Sequence, residues 1–345
     1  MKKGKKIIFL LLILFLFTGC TTYLKDGKKT VTNPSTGQNL TDNIVCKPTD
    51  PETIKIYAEY YSKDKKKLKE FNELPACSCK DDSNYKLVKY TDSTYTEGFY
   101  TTKAIKCTEF KASSGKYENI WNSIFVKPLA WVIIFIGEFF NSFGVGLILT
   151  SVLIRLIAYP LTNKTAMQSE NMKKAQPELN RLEKKYENKD KTDQQVMMQK
   201  SQEMMAIYKK YNINPLSGCL FSFIQLPLFI AFLEAINRVP AIFEEKFLGV
   251  HLGTSPMIGI KGGNYLYIII ILLVAVTTYF SFKLNNGANA GSEAEKQTQT
   301  MMNAFLVMII VMSVFMSAAL GIYWVTSNIF TIVQNLIVKR RFTKC

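Results

Sequence analysis

"TSVLIRLIAYPLT", residues 150–162, places an arginine inside an otherwise apolar run. Val152, Leu153, Ile154, Leu156 and Ile157 surround Arg155, and Pro160 follows five residues on. An ionised guanidinium in hydrocarbon costs at least ~2.5–3.5 kcal/mol even on insertion-based scales. A charge in that position either reaches the headgroups by snorkelling or serves a function. Which of the two applies depends on what surrounds the run.

The chain has 345 residues, 48% of them hydrophobic, and a formal net charge of +16. Its apolar residues gather in blocks at 7–17, 124–161, 216–236, 265–282 and 301–338. Blocks near or above ~18 residues read as membrane spans, not as core helices. The expected fold is an all-α polytopic membrane protein with five transmembrane helices, at about 142–161, 214–236, 265–284, 299–316 and 319–338. The last block is too long for one helix, and "SAALG" (317–321) divides it. The basic excess then belongs to cytoplasmic loops and anionic lipid, without invoking nucleic acid.

"MKKGKKIIFLLLILFLFTGC" opens the chain: four lysines, an apolar stretch too short to span comfortably, and small residues before Cys20. Residues 1–19 read as a secretory signal peptide. "FTGC" resembles a lipobox, with Phe17 where leucine is usual, and makes Cys20 the lipidation site; an uncleaved signal anchor is the alternative. Residues 20–118 follow as a lipid-anchored extracellular domain, expected to be small and α+β. In 21–118 there are 17 Lys/Arg against 14 Asp/Glu. "ETIKIYAEYYSKDKKKLKEF" has helical character, "YTDSTYTEGFYTT" alternates like strand and turn, and nothing in the segment looks catalytic. Cys46, Cys77, Cys79 and Cys107 are possible disulfide cysteines in this oxidising location. Four cysteines allow three pairings; 46–107 with 77–79 is one, though a Cys-Ser-Cys bridge is strained, and none is selected. The segment lacks histidine, which disfavours a metal site.

Residues 119–141 contain Lys127, Pro128, Glu138 and Asn141 among apolar positions, with Trp121 and Trp131, and read as an interfacial amphipathic helix. The stretch 163–212 is polar and methionine-rich and reads as a cytoplasmic helical hairpin reversing near "ENKDKTD". Met167, Met172, Leu179 and Leu182 would face Met197, Met204 and Ile207. Eleven Lys/Arg in this hairpin and four in the basic tail 339–345 stand against three in the 237–264 loop. The positive-inside rule and the signal peptide therefore agree on a terminus outside at the start and inside at the end.

Arg155 lies six residues, about 9 Å, from the inner end of its span. Ser151 and Tyr159, four residues either side, make a polar stripe with it. Ser222 and Gln225 are three apart on the second span; Trp324, Asn328, Thr331 and Asn335 share a face of the fifth. Singly, such residues are ordinary interhelical glue. Together they can line a hydrated cavity for Arg155. The five core spans hold no acidic residue, since Glu138 and Glu234 lie near the outer side, which suggests water access or a transient partner.

"NSFGVGLILTSVLIRLIAYPLT", "YNINPLSGCLFSFIQLPLFIAFLEAI" and "ALGIYWVTSNIFTIVQNLI" resemble the YidC/Oxa/Alb membrane protein insertases, in order and spacing, from about residue 120 to 341. The signal peptide with Cys20 is similar to the Gram-positive lipoprotein type, whereas the roughly 100-residue exported segment departs from its short ectodomain. The resemblance implies five spans around a hydrophilic groove, open to the cytoplasm and the lipid and sealed outside. Arg155, Ser151, Gln225, Ser222, Trp324, Asn328 and Thr331 would be the substrate groove, attracting the acidic tail of a nascent membrane protein while its apolar span enters lipid. It implies no covalent chemistry, metal or cofactor, and the chain has no GxxxxGK loop. Implied partners are nascent membrane proteins, the ribosome, the general secretion translocon, the signal recognition machinery and membrane lipids, around a functional monomer. For the basic tail, a short positive-inside anchor competes with contact to ribosomal RNA.

The chief rival is an anion transporter or channel using Arg155 as its binding site. It calls for internal repeats and paired broken helices, which the sequence does not display. An intramembrane enzyme would need motifs such as HExxH or GxSxG, both absent; the single histidine, His251, sits in the 237–264 loop. A signalling lipoprotein would leave the multispan body unexplained.

Overall fold

The computed structural model describes residues 22–79, 108–189, 192–214, 217–285 and 293–344, with the side chains of 217–224, 226, 285, 293–298, 301 and 342–344 left aside. Cys20, Cys107 and the "YTDSTYTEGFYTT" stretch lie outside the described residues. The chain divides into two compact units. The first comprises Met1–Ser151, Pro227–Ile270 and Val314–Tyr323; the second comprises Val152–Leu226, Ile271–Ser313 and Trp324–Cys345.

The first unit opens with an antiparallel pair, β1 (Lys25–Asp26) and β2 (Lys29–Thr30), and two helices, α1 (Pro51–Tyr61) and α2 (Lys65–Asn72). Asp50 caps α1, its carboxylate accepting from the Thr53 amide at 2.8 Å, and Pro51 supplies a preset first turn. Thr53, Ile54, Tyr57, Ala58 and Tyr61 recur at helical spacing and form its buried face. Tyr57 and Tyr61 turn their hydroxyls to the carbonyls of Thr41 and Asp42, so both rings are buried without stranding a polar atom. Leu24, Leu40, Ile44 and Phe71 complete this core, and Phe243, from far along the chain, packs into it. A disulfide joins Cys46 to Cys77, which excludes the 46–107 with 77–79 pairing, and Cys79 is itself disulfide-bonded.

A π turn (Asn122–Val126) leads into α3 (Lys127–Phe140), which ends on Asn141 in the left-handed conformation, φ 53°. The chain reverses there into α4 (Phe143–Tyr186). A Cβ on Gly146 would lie 2.5 Å from the Ile133 carbonyl and 2.7 Å from the Gly137 amide, so only glycine permits this closeness. Glu245 caps α4, its carboxylate accepting from Ser142 Oγ at 2.7 Å and from the amides of Phe143 and Gly144.

α4 runs 44 residues without interruption, about 66 Å at the helical rise. The expected first span and first hairpin arm are therefore one helix, passing through Pro160 and Pro177. Proline removes one N–H and crowds the preceding turn, but a helix held along its length tolerates that loss. Thr162 uses the loosened turn, its hydroxyl lying 3.2 Å from the carbonyls of both Ala158 and Tyr159.

The second arm, α5 (Gln194–Lys210), is capped by Asp193. Of the residues expected to face one another, Leu182 is buried, Met204 and Ile207 are half-buried, and Met167 and Met197 are exposed. α5 buries no residue, and Met197, Met198 and Met205 are exposed. Polar contacts also join the arms: Lys185 and Tyr186 meet Glu203 at 2.7 and 2.9 Å, and Lys210 and Tyr211 meet Glu178.

α6 (Ser217–Arg238) carries the expected second span and contains Pro227. A short helix α7 (Pro240–Glu244), the hairpin β3 (Lys246–Phe247) with β4 (Val250–His251), and α8 (Pro256–Lys261) fill the following loop. Then come α9 (Leu266–Asn285), α10 (Glu293–Phe315) and α11 (Ala318–Lys344). The break between the last two falls at residues 316–317, where the amides of Ala318 and Ala319 donate to the carbonyls of Thr254 and Leu252.

Among the described residues, four helices are long and apolar enough to cross a membrane: Asn122–Phe140, Phe143–Tyr186, Leu266–Leu284 and Ala318–Arg341. Met302–Phe315 is apolar but shorter. The stretch expected at the interface thus qualifies as a span by length and composition. Against the five spans expected, α3 is added while α6 and α10 are not among the four, α6 being described in its side chains only at Gln225 and from Pro227 onward.

Candidate functional site

Within the second unit, α4, α6 and α11 bring three polar side chains together. Arg155 is 5% exposed. Its Nη2 donates to Gln225 Oε1 at 2.7 Å and its Nε to Ser327 Oγ at 3.3 Å. Both acceptors are neutral, so these two bonds orient the guanidinium fork without neutralising it. Ser327 is buried, and Thr331, one turn on, donates to its carbonyl at 2.9 Å.

A second polar group lies between α9 and α11. Trp324 Nε1 donates to Thr278 Oγ1 at 3.0 Å, and Asn328 Nδ2 donates to the same oxygen at 2.9 Å. Thr277 and Ser281 are buried nearby on α9. Farther along, Thr162 of α4 bonds Gln334 of α11 at 2.9 Å, both buried. A row of hydroxyl and amide groups thus continues along α11 from Trp324 to Gln334. In a low-dielectric surround each would be costly unpaired, and each has found a partner.

The expected groove residues separate accordingly. Arg155, Gln225 and Thr331 belong to the first group, and Trp324 and Asn328 to the second. Ser151 falls in the first unit, buried, its hydroxyl donating back to the Leu147 carbonyl at 2.7 Å. Ser222 lies on α6, outside the described side chains. The sequence reading missed Ser327, Thr277, Thr278, Thr162 and Gln334. The signals were present: Ser327 stands four residues before Thr331, and the Thr277-Thr278 pair interrupts a run of branched apolar residues. Among the described residues no cluster of His, Cys, Asp and Glu could hold a metal ion.

Outside the spans, Glu203 and Glu244 are among the carboxylates whose protonation is shifted, with Glu70 and Glu178 held low by Lys116 and Lys210. The Lys185 ammonium, with Tyr186 behind it, holds Glu203 below the usual carboxylate range. Glu244 is pushed the other way by burial, although the hydroxyl and amide of Thr49 donate to it at 2.6 and 3.0 Å. None of these carries the arrangement of nucleophile and base that a catalytic site requires.

Residues 135–344 match the model of the family described as 60Kd inner membrane protein. "Membrane protein insertase YidC" of Oceanobacillus iheyensis is 35% identical over 246 residues, 70% of this chain and 92% of that protein. "Membrane protein insertase MisCA" of Bacillus subtilis is 35% identical over 222 residues, 64% of this chain and 79% of that protein. An active YidC insertase crystal structure superposes with a TM-score of 0.46 at 25% identity, covering 63% of this chain and 46% of that one. On the family model and the sequence relatives, the chain belongs to the YidC/Oxa/Alb family of membrane protein insertases.

Proposed function

We propose that this protein inserts nascent membrane proteins by passing their hydrophilic tails through a groove built around Arg155. The observation that carries the reading is the enclosed guanidinium held by two neutral acceptors, Gln225 and Ser327. A fixed positive charge in that enclosed position attracts an acidic substrate tail. The polar row along α11 shortens the hydrocarbon distance that tail must cross. Burial of the substrate's apolar span in lipid then drives the transfer downhill. The chain supplies a path and an attractive charge, and no bond is made or broken.

Around that centre we place a Cys20 lipid anchor outside, α3 along the outer interface, five spans, and the α4–α5 hairpin and basic tail inside. Chaperoning of the emerging span belongs to the same activity. The hairpin and tail, rich in Lys and Arg, are the surfaces for the ribosome, the signal recognition machinery and the translocon.

The test is rescue of insertase-depleted bacteria by wild type and by Arg155→Ala, with insertion of a single-span reporter followed by protease protection. Rescue by wild type alone supports the reading. Equal rescue by both, at equal membrane levels, would reduce Arg155 to a snorkelling anchor. An anion transporter would instead show chloride or phosphate flux in proteoliposomes abolished by the same substitution.

A further inference from the structure

The family model begins at residue 135, so residues 22–118 lie outside it, and the relative from Oceanobacillus iheyensis aligns over 92% of its own length while covering 70% of this chain. Nothing in the site above explains this exported segment. Its attachments do.

The segment does not fold around a core of its own alone. Phe243, 2% exposed, enters that core from the loop after α6 and packs with Leu24, Tyr57 and Phe71. Four further bonds tie the same two pieces. The Val45 amide donates to the Arg238 carbonyl at 2.9 Å, and Thr41 Oγ1 to the Asn237 carbonyl at 2.9 Å. Thr254 Oγ1 donates to the Thr36 carbonyl at 2.8 Å, and Thr49 Oγ1 to Glu244 at 2.6 Å.

That loop in turn holds the ends of several long helices. Glu245 caps the start of α4, the Tyr267 hydroxyl at the start of α9 accepts from the His251 amide at 2.9 Å, and the Thr254 and Leu252 carbonyls receive the first amides of α11. The end of α6 is held by charge. Arg238, 2% exposed, donates from Nη1 to Glu118 at 2.9 Å, with the buried Glu234 carboxylate 3.6 Å from Nη2. Lys127, also buried, donates to the carbonyls of Ser114 and Lys116, both at 2.9 Å. Glu118 is 38% exposed, but Arg238 and Glu234 are both buried, so loss of Arg238 leaves the Glu234 carboxylate uncompensated at high cost.

We propose that residues 22–79 and 108–118 form the outer closure of the membrane helices: a barrier element of the insertase itself, not a separate ligand-binding module. The proposal rests on the insertase reading with a sealed outer side. Arg238 is its latch, and Phe243 is the anchor that seats the segment on the loop.

The test uses the full-length protein in proteoliposomes, with passive proton flux read by an entrapped pH-sensitive dye under an imposed gradient. Reporter insertion is measured on the same preparation. Arg238→Gln and Phe243→Ala should each raise flux about tenfold or more, because losing one partner of a buried contact shifts an open–closed balance by at least that factor. Insertion should stay near wild type, and Glu118→Gln, which leaves Arg238 paired with Glu234, should raise flux less than Arg238→Gln does. Thr49→Val, which removes only contacts to Glu244, should give a smaller rise if a core variant fails to fold. Wild-type flux in both single variants, each with the Cys46–Cys77 bond formed, would overturn the proposal, as would wild-type flux in folded Thr49→Val when the others do not fold. A wild type that inserts no reporter would sink the insertase reading, while a leak confined to the variants would still support the closure.

Discussion

At the scale of single residues, Arg155 carries the chain's central physical problem, a cation enclosed among apolar helices. Gln225 answers half of it by accepting from Nη2. Replacing that amide by a carboxylate places a permanent counter-ion where a substrate's acid is proposed to bind. Gln225→Glu should therefore keep the protein folded and lower insertion of acidic-tailed reporters by about tenfold, the equivalent of ~1.4 kcal/mol. Tails without acidic residues should be affected less. Arg155→Lys separates charge from the planar fork: a point charge on a flexible stem cannot hold both Gln225 and Ser327 in place. Insertion should be partly retained, and equal loss with Arg155→Ala would assign the role to the fork. Glu244 supplies a pH test. Burial raises its carboxyl above the ordinary value near 4.5, so the folded state binds the proton more tightly than the unfolded chain does. Stability from this group is full below about that value and is lost as pH rises through the folded pKa. Thermal unfolding followed upward from pH 4.5 should show that decline in wild type and a flatter profile in Glu244→Gln.

Elements pose a different question, which is how far a local pattern is obeyed. The "YPLT" stretch carries the signals of a helix end, yet α4 continues through Pro160 to Tyr186. Proline's penalty is a few kcal/mol, and contacts along a 44-residue helix outweigh it. In the hairpin, α5 has no fully buried residue, though Met204 and Ile207 are half-buried, and Glu203 and Glu178 join the arms through lysines and tyrosines. Such exposed pairs are weak and screened by salt. Hydrogen exchange in α5 should accordingly quicken as salt is added, and Asp193→Ala should destabilise its first turn by about 1 kcal/mol through loss of the cap. Exchange that ignores both changes would mean that apolar packing holds the arm after all.

For the molecule as a whole, residues 22–79 are folded onto the loop after α6, with the Cys46–Cys77 bond closing a separation of 31 residues. Constraining a loop of that size lowers the unfolded chain's entropy by the equivalent of ~3.5 kcal/mol. Cys46→Ser with Cys77→Ser should therefore lower the melting temperature of this N-terminal segment by several degrees. Limited proteolysis should cut it before the membrane helices are cut. Simultaneous loss of both would show that the two parts unfold as one.

The apolar blocks, the buried-arginine run and the ordered "NPL", "QLP" and "GIYWVTSN" stretches were enough to place the chain in its family. Hydrophobicity over some twenty residues is a local property, and a family's motifs are contiguous. Gln225 was legible for the same reason, as a lone amide in an apolar run. Ser327, Thr277 and Thr278 were not, because a hydroxyl in a span looks alike whether it faces a neighbour, a backbone carbonyl or a groove. Phe243 in the core of a segment that ended more than a hundred residues earlier, and Arg238 bonded to Glu118, follow from no periodicity. Long-range contacts depend on which surfaces meet after the chain has folded back, and only the tertiary structure decides that.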